Sequence, residues 1–526
     1  MFLCSCSMIS MQNMHYRGEF GEMEIRDGWF YLEGEKFLVV GVGYEIGARP
    51  GRVPWDHEFR PDLLHADFKR IRDAGFNAIR CWAPMTDEEL DVAAKYGLWV
   101  IQGLWIDPKG DFNNPDFRRN CVNYIESEIK RLSKHPNILG YLLMNEPHGK
   151  AVFEAGVEEF RDFLHEIAKA ARKADSERPF SFSNCVYTDF LNLEEFPFIA
   201  HNAYPYSPVT IEKALGYRGY LEYLKKEHAG NKPLIITEFG LSVSPLGDGR
   251  GYGGNSLEEQ KEGVLKMWGD ILDSGATGGC VFMWIDGWWK HENPNKHDPH
   301  AEEWYGLLSA DEDFMGTPRP VYHAMKDYNR FITVNPKNGV AYKEKIPIEI
   351  WGPEMVGVYY RINGGQWKDI PKRGKWWWKR IEKTSALKEG WCEMEIRGVK
   401  SGGDMTGSKK IDLLINQTEK YSPPLKVEII TPKSKYPINK PIDVKIRVTD
   451  PANKPVAGIK LRVERFIHTG WNEYGTETIT GKDGIASATL PPVTEPAIIS
   501  IAAGTAPPDN RYGRRFGDYV HLKIRR

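Results

Sequence analysis

Between residues 37 and 331, short apolar runs alternate with amphipathic stretches, and this alternation restricts the fold more than any other feature of the chain. The runs are FLVVGVG (37–43), FNAIRCW (76–82), LWVIQGL (98–104), ILGYLLM (138–144), PFSFSNC (179–185), FPFIAHNAY (196–204), PLIITEF (233–239) and GGCVFMWI (278–285). Each is nearly continuously apolar and bounded by Gly, Pro or Asn, as a parallel strand covered on both faces requires. Between them, Phe160, Phe163, Leu164, Ile167 and Ala171 recur with the helical period, as do Leu64, Phe68 and Ile71. Eight strand–helix units in about 300 residues predict an α/β fold of the (β/α)8 TIM barrel type. The rival is an open doubly wound sheet, but no G-x-G-x-x-G follows the first strand.

Beyond about residue 333 the helical period stops. PIEIWG, VGVYYRI, PLKVEII, IDVKIRV and GIKLRVE alternate instead, with turn signals at Asn363-Gly364-Gly365 and Asp483-Gly484. These predict two small antiparallel β-sandwiches of immunoglobulin-like type, joined near Pro423-Pro424 and related by no visible sequence repeat. The expected organisation is a tail at 1–22, a barrel at 23–335, and sandwiches at 336–422 and 423–526.

The 526 residues are 41% hydrophobic and 27% charged, which excludes a disordered chain. A net charge of −2 argues against a nucleic-acid partner. No stretch approaches the roughly 18 apolar residues of a membrane span. The near-neutrality is a cancellation: residues 1–335 hold 36 basic and 51 acidic side chains, and the remainder hold 34 and 21. These opposite signs predict that the sandwiches dock on the barrel. The seven cysteines include no CxxC pair, and Cys81, Cys185 and Cys280 lie in apolar runs, so they read as buried hydrophobes. The first twenty residues lack a basic start and a long apolar centre, which predicts a cytoplasmic chain unless the true start or export route differs. The oligomeric state is left open.

Barrel enzymes carry their chemistry at the C-terminal ends of the strands. Here those ends present Arg80-Cys81-Trp82, Asn145-Glu146-Pro147, His201 with Asn202 and Tyr204, Thr237-Glu238-Phe239-Gly240, and Trp284. Two glutamates thus emerge from the fourth and seventh strands, across the mouth from one another. The bland alternative is a pair of separate ion pairs with barrel cations. Carboxyls about 5 Å apart suit a retaining glycosidase, in which one attacks the sugar and the other protonates the leaving oxygen.

LLMNEPHG (142–149) and PLIITEFG (233–240), with their glutamates 92 positions apart, resemble the clan A glycoside hydrolases. MEIRDGWFYLEGEKFLVVGVGYE (23–45), GFNAIRCW (75–82) and WYGLLSADEDFMGTPRPVYHAMKDYNRF (304–331) resemble segments of the catalytic barrels of glycoside hydrolase families 5 and 2. The resemblance implies Glu146 as general acid/base and Glu238 as nucleophile, with no metal and no cofactor. It implies that Asn145 bonds the sugar 2-hydroxyl, that Arg80 holds Glu238 ionised, that Tyr204 bonds Glu238, and that Trp284 floors the sugar. Asn202 stands where family 5 usually has His, closer to some family 2 enzymes, and leaves His201 either in substrate contact or behind it.

The expected function is retaining hydrolysis of β-linked glucan, mannan or related oligosaccharides. Transglycosylation by the same residues and a non-catalytic carbohydrate-binding barrel are the alternatives. The net −15 of the barrel region favours a neutral sugar over a uronate-rich polymer. A metal-dependent hydrolase is disfavoured, because the first strand ends in Val-Gly-Tyr-Glu and offers no His-x-His pair. Rim candidates for sugar contact are Trp55, His57, Trp105, Asp107, Trp288 and Trp289. The long segment 286–304, with His291, His297, Asp298 and His300 at no standard ligand spacing, reads as a substrate-shaping loop. Trp367, Trp376, Trp377 and Trp378 in the first sandwich are divided among core packing, barrel docking and a carbohydrate-binding surface.

Overall fold

The computed structural model describes residues 20–55, 58–191, 194–206, 210–418, 425–431, 434–470, 472–506 and 515–525. His57, the tail before residue 20 and the Pro423-Pro424 joint lie outside the described residues. Eight parallel strands close into a barrel in chain order: β1 (Val39–Gly43), β2 (Ala78–Cys81), β3 (Trp99–Gly103), β4 (Ile138–Asn145), β5 (Phe180–Asn184), β6 (Ile199–Asn202), β7 (Leu234–Phe239) and β8 (Gly278–Val281). Apart from Asn145 and Ile199, every residue of these strands is buried, which is why the runs read as continuously apolar.

The helices covering the barrel carry legible ends. α1 (Pro61–Asp73) and α3 (Pro115–Leu132) open on proline, and Asn114 caps α3 through its side chain. α2 (Asp87–Lys95) and α7 (Leu257–Ser274) open on reciprocal capping boxes, Thr86 with Glu89 and Ser256 with Glu259. α4 (Gly149–Ala155), α5 (Val157–Ala174), α6 (Gly216–Tyr223) and α8 (Pro320–Tyr328) complete the set. The buried positions of α5 include Phe160, Phe163, Leu164, Ile167 and Ala171, the stripe its spacing announced. A three-stranded antiparallel meander over residues 23–37 leads into β1 and packs at the N-terminal end of the barrel, with Phe30 set edge-on to Phe198 at 5.5 Å.

The C-terminal region is two sandwiches of one connectivity. In each, strands one, three and six form a small sheet, and strands two, eight, seven, four and five form a larger one. Ile346, Val358, Tyr360, Met394 and Leu413 fill the first, and Val444, Ile446, Val463, Ile499 and Ile501 fill the second. The shared fold rests on two different sets of alternating residues, which is why no repeat is visible in the sequence. Strand Ile332–Asn335, which a division at 335/336 would leave to the barrel, pairs antiparallel with Lys345–Trp351 of the first sandwich.

Aromatic side chains fasten this region to the barrel. Trp377 donates its indole N–H to the Lys36 carbonyl (2.7 Å) and meets Trp29 edge-on, while Trp376 stacks on Trp351 and meets Phe37 edge-on. Trp378 turns the other way, into the sandwich core, and donates to the Gly352 carbonyl (3.0 Å). At this seam the close charge pairs are Arg330 with Glu354 (3.4 Å) and Lys36 with Glu349 (3.5 Å), each a barrel cation on a sandwich carboxylate, the reverse of the signs that the net charges suggest. Packing, more than opposed net charge, makes the contact.

Candidate active site

Glu238, next to last in β7, is 6% exposed and surrounded by donors. Its Oε1 accepts from Arg80 Nη1 and from Trp82 Nε1, both at 2.9 Å, and its Oε2 accepts from the Tyr204 hydroxyl at 2.9 Å. Arg80 lies over the Trp82 ring at 3.8 Å and gives its second amine to Asn145 Oδ1 (2.5 Å). One arginine therefore fixes residues from β4 and β7 together.

Glu146 follows β4 directly and opens on the cavity. Its φ of +45° is rare for a residue with a long side chain, and its N–H is held by the Ser183 carbonyl at 2.8 Å. Its Oε1 accepts from Asn202 Nδ2 at 2.9 Å, and the same amide reaches Asn145 Oδ1 at 3.2 Å. The Asn202 carbonyl accepts from the hydroxyls of Ser183 (2.9 Å) and Thr237 (2.7 Å), which fixes which way the amide points. Close to the pair, a Cβ on Gly240 would stand 2.3 Å from the Phe282 carbonyl oxygen, so glycine lets the chain after β7 pass the chain after β8.

Two adjoining cavities meet at Glu146, Glu238 and Glu302. One, of about 780 Å³, is walled by Tyr204, Tyr206, Tyr252, Tyr305 and Arg250. The other, of about 700 Å³, is walled by Trp55, Trp82, Trp105, Trp289 and Phe282. Lys290 lines the second with its ammonium 2.7 Å from Glu45 and 5.0 Å from the Phe282 ring centre.

Burial pushes the Glu238 carboxyl up to about 8, against the downward pull of the Arg80 guanidinium and the Tyr204 hydroxyl. The sequence reading has Arg80 keeping Glu238 low; the net shift is upward because desolvation outweighs the ion pair. Glu146 is also raised by burial, opposed first by Asn202. Two interacting carboxyls in one site titrate as a pair.

The structure brings Arg80, Asn145, Glu146, Asn202, Tyr204 and Glu238 into one network. Trp105, half-exposed, reaches the aromatic cavity. Trp284 is not the floor: it is fully buried against Tyr322 and under Arg70, away from both cavities. The apolar run continues to residue 285, but the strand ends at Val281, and Phe282 is the aromatic that meets Trp82, Tyr204 and Tyr305. His201 lies behind the site, bonded through Nε2 to the Tyr220 hydroxyl (2.9 Å), and burial pushes its pKa down to about 3. Trp288 stacks on His297 at 5.0 Å and packs the loop after β8, while its neighbour Trp289 faces the cavity and donates to Glu45 (2.8 Å). Asp107 turns back to cap its own loop at Lys109.

Sequence reasoning missed Trp82 as a partner of Glu238, although Arg80 and Trp82 stand two apart, the spacing of one strand face. It also missed Lys290, Glu302 and the Tyr206–Tyr305 hydroxyl contact, for which no local pattern exists. Among the described residues, no cluster of candidate metal ligands includes Glu146 or Glu238.

The family model described as glycosyl hydrolases family 2, TIM barrel domain, matches residues 23–331. A putative beta-glucuronidase from Formosa agariphila is 29% identical over 175 residues, covering 32% of this chain and 20% of its own length. Among solved structures, the Parabacteroides merdae beta-glucuronidase aligns over 95% of this chain and 65% of its own, at 15% identity and a TM-score of 0.45. A GH2 beta-galacturonidase from Eisenbergiella tayi aligns over 59% of this chain and 53% of its own, at 21% identity and a TM-score of 0.47. The chain thus spans a fifth of the curated relative and about two thirds or less of these solved chains. With the family match extending over the whole barrel, the chain belongs to glycosyl hydrolase family 2 through its TIM barrel domain.

Proposed function

We propose that the protein is a retaining β-glycoside hydrolase in which Glu238 is the nucleophile and Glu146 the general acid/base. The observation that carries this reading is the unequal treatment of the two carboxyls. Glu238 accepts three donors, one of them cationic, while Glu146 accepts a single neutral amide. The one proton that the pair holds near neutrality therefore resides on Glu146, and the charge on Glu238. Glu238 attacks the anomeric carbon as the glycosidic bond breaks, and the Glu146 proton passes to the leaving oxygen. Esterification removes the charge of Glu238 and lowers the pKa of Glu146, which then takes a proton from water as that water displaces Glu238. The carbonyl of Asn145 is used by Arg80 and Asn202, so its amide nitrogen is the group available to a sugar 2-hydroxyl.

The charge around the site favours a neutral sugar. Among the described residues, the cations near it already have carboxylates: Arg80 has Glu238, Lys290 has Glu45, and Arg250 has Asp248 and Glu212. Glu302 adds a carboxylate to both cavities. The aromatic cavity suits the apolar faces of further sugar units, as in a β-linked glucan or mannan oligosaccharide. A β-glucuronide is the second reading, prompted by the similarity to a putative beta-glucuronidase and by Lys290, a half-buried ammonium at the cavity wall. A panel of aryl β-glucoside, β-galactoside, β-mannoside and β-glucuronide tests both. Turnover of a neutral glycoside that disappears in Glu238→Gln is expected, turnover of the glucuronide alone would replace the neutral reading, and turnover surviving in Glu238→Gln would sink the catalytic assignment.

A further inference from the structure

On the flank of the barrel, where the second sandwich docks, a buried Asp–His–His group joins the two. Asp189 lies in the loop after β5, two residues beyond Tyr187, which lines the polar cavity. His468 and His521 come from the sandwich. Asp189 Oδ2 is fully used, accepting the hydroxyls of Tyr220 (3.0 Å) and Tyr519 (2.9 Å). That leaves Oδ1 facing two imidazoles, His521 Nε2 at 2.7 Å and His468 Nε2 at 3.9 Å. His521 Nδ1 lies 3.5 Å from the Tyr223 hydroxyl.

His468 decides what this arrangement is for. Its side chain is wholly buried, and its Nδ1 lies 3.0 Å from the Tyr187 carbonyl, an acceptor, so Nδ1 carries the proton. Its Nε2 therefore presents a lone pair, has no hydrogen-bond partner, and is aimed at a carboxylate oxygen. Two acceptors facing one another in a buried site call for a cation between them. The surroundings match an outer ligand shell: a backbone carbonyl fixing one imidazole, and two tyrosines holding one carboxylate oxygen so that the other faces the two imidazoles.

We propose that Asp189 Oδ1, His468 Nε2 and His521 Nε2 bind a zinc-class divalent cation that clips the second sandwich to the barrel. The three ligand atoms lie within 4.8 Å of one another. Tetrahedral zinc with bonds of about 2.0–2.2 Å sets its ligands roughly 3.3–3.6 Å apart. The observed 2.7 and 3.9 Å fall on either side of that spacing, so small side-chain rotations satisfy it. Two imidazoles and one carboxylate suit zinc or cobalt and disfavour calcium and magnesium, which prefer oxygen throughout.

The test uses the full chain, stripped with a chelator and titrated with Zn²⁺ and with Co²⁺. One equivalent per chain, visible ligand-field bands from Co²⁺, and a melting temperature raised by metal are expected. Asp189→Asn and His521→Ala should lose that equivalent. His291→Ala should keep it, because His291 belongs to a separate group with Asp298 and Glu303 in the loop after β8. If the first two variants fail to fold, the Co²⁺ spectrum and melting shift of the unaltered chain decide. Absence of both, or loss of the equivalent in His291→Ala instead, overturns the proposal.

Discussion

At the scale of single residues, the proposed division of labour between Glu146 and Glu238 makes distinct kinetic demands. Glu146→Gln removes the proton donor, and kcat/KM should fall roughly 10²- to 10⁴-fold on a glycoside with a poor leaving group. The loss should shrink on a dinitrophenyl glycoside, whose leaving oxygen needs no proton. Trp82→Phe keeps the ring and deletes one donor to Glu238 Oε1. A hydrogen bond to a charged acceptor contributes about 1.5–3 kcal/mol, so kcat should drop roughly 10- to 100-fold. The acidic limb of the pH–rate profile should also move to higher pH, because the carboxylate form loses support.

The buried carboxyl pair also costs stability. Burial raises both groups, Glu238 to about 8 against an ordinary carboxyl value of 4.5, and the one extra proton that the folded pair holds between those values sits on Glu146. The pair's contribution is therefore fully present below about pH 4.5 and is lost as pH rises through 8. Glu238→Gln should melt higher than the unaltered protein, by a margin that widens across that window. A margin constant with pH would contradict the burial argument.

At the scale of elements, what the sequence disclosed depended on whether the controlling contacts were local. The eight barrel strands fall on the eight apolar runs because both faces of each strand are covered, and burial leaves a mark in the residues themselves. Glu146 and Glu238 were legible as charges placed at the ends of such runs. The end of β8 was not, because distant pairing interrupts it: beyond Val281 the chain alternates between barrel neighbours, Phe282 to Phe239 and Trp284 to Gly43, and residues 305–308, through Met283 to Tyr305 and Leu307 and through Trp284 to Leu308. Phe282, not Trp284, stands at the mouth beside Trp82 and Tyr204. Lys290 and Glu302 were likewise invisible, since a long polar loop gives no period to read.

This loop is anchored by a buried pair, Asp286 with Arg319, whose guanidinium reaches both carboxylate oxygens at 2.8 and 2.5 Å. Removing one partner of such a pair typically costs about 3–5 kcal/mol. Arg319→Met should lose that much in urea unfolding, and should raise KM because Trp289 and Glu302 are carried on the same loop.

At the scale of the whole molecule, the opposed net charges of the two halves are a weaker force than the aromatic seam between them. Lys36–Glu349 is the reverse of the expected polarity, and Lys400–Asp327, at 3.9 Å with Asp327 79% exposed, is too open to contribute much. Trp377 is nearly fully buried with its N–H satisfied across the seam. Trp377→Ala should cost about 3–5 kcal/mol in denaturant unfolding. The docked arrangement of the unaltered chain should persist between low salt and about 1 M, where the screening length falls to roughly 3 Å.

The proposed double displacement is tested most directly by the configuration of the first-formed sugar, followed by proton NMR on whichever aryl β-glycoside the panel shows to be turned over. Attack by Glu238 and then by water predicts that the β-anomer appears first and equilibrates to the α-anomer only by mutarotation. The α-anomer appearing first would mean direct attack by water and would contradict the role assigned to Glu238.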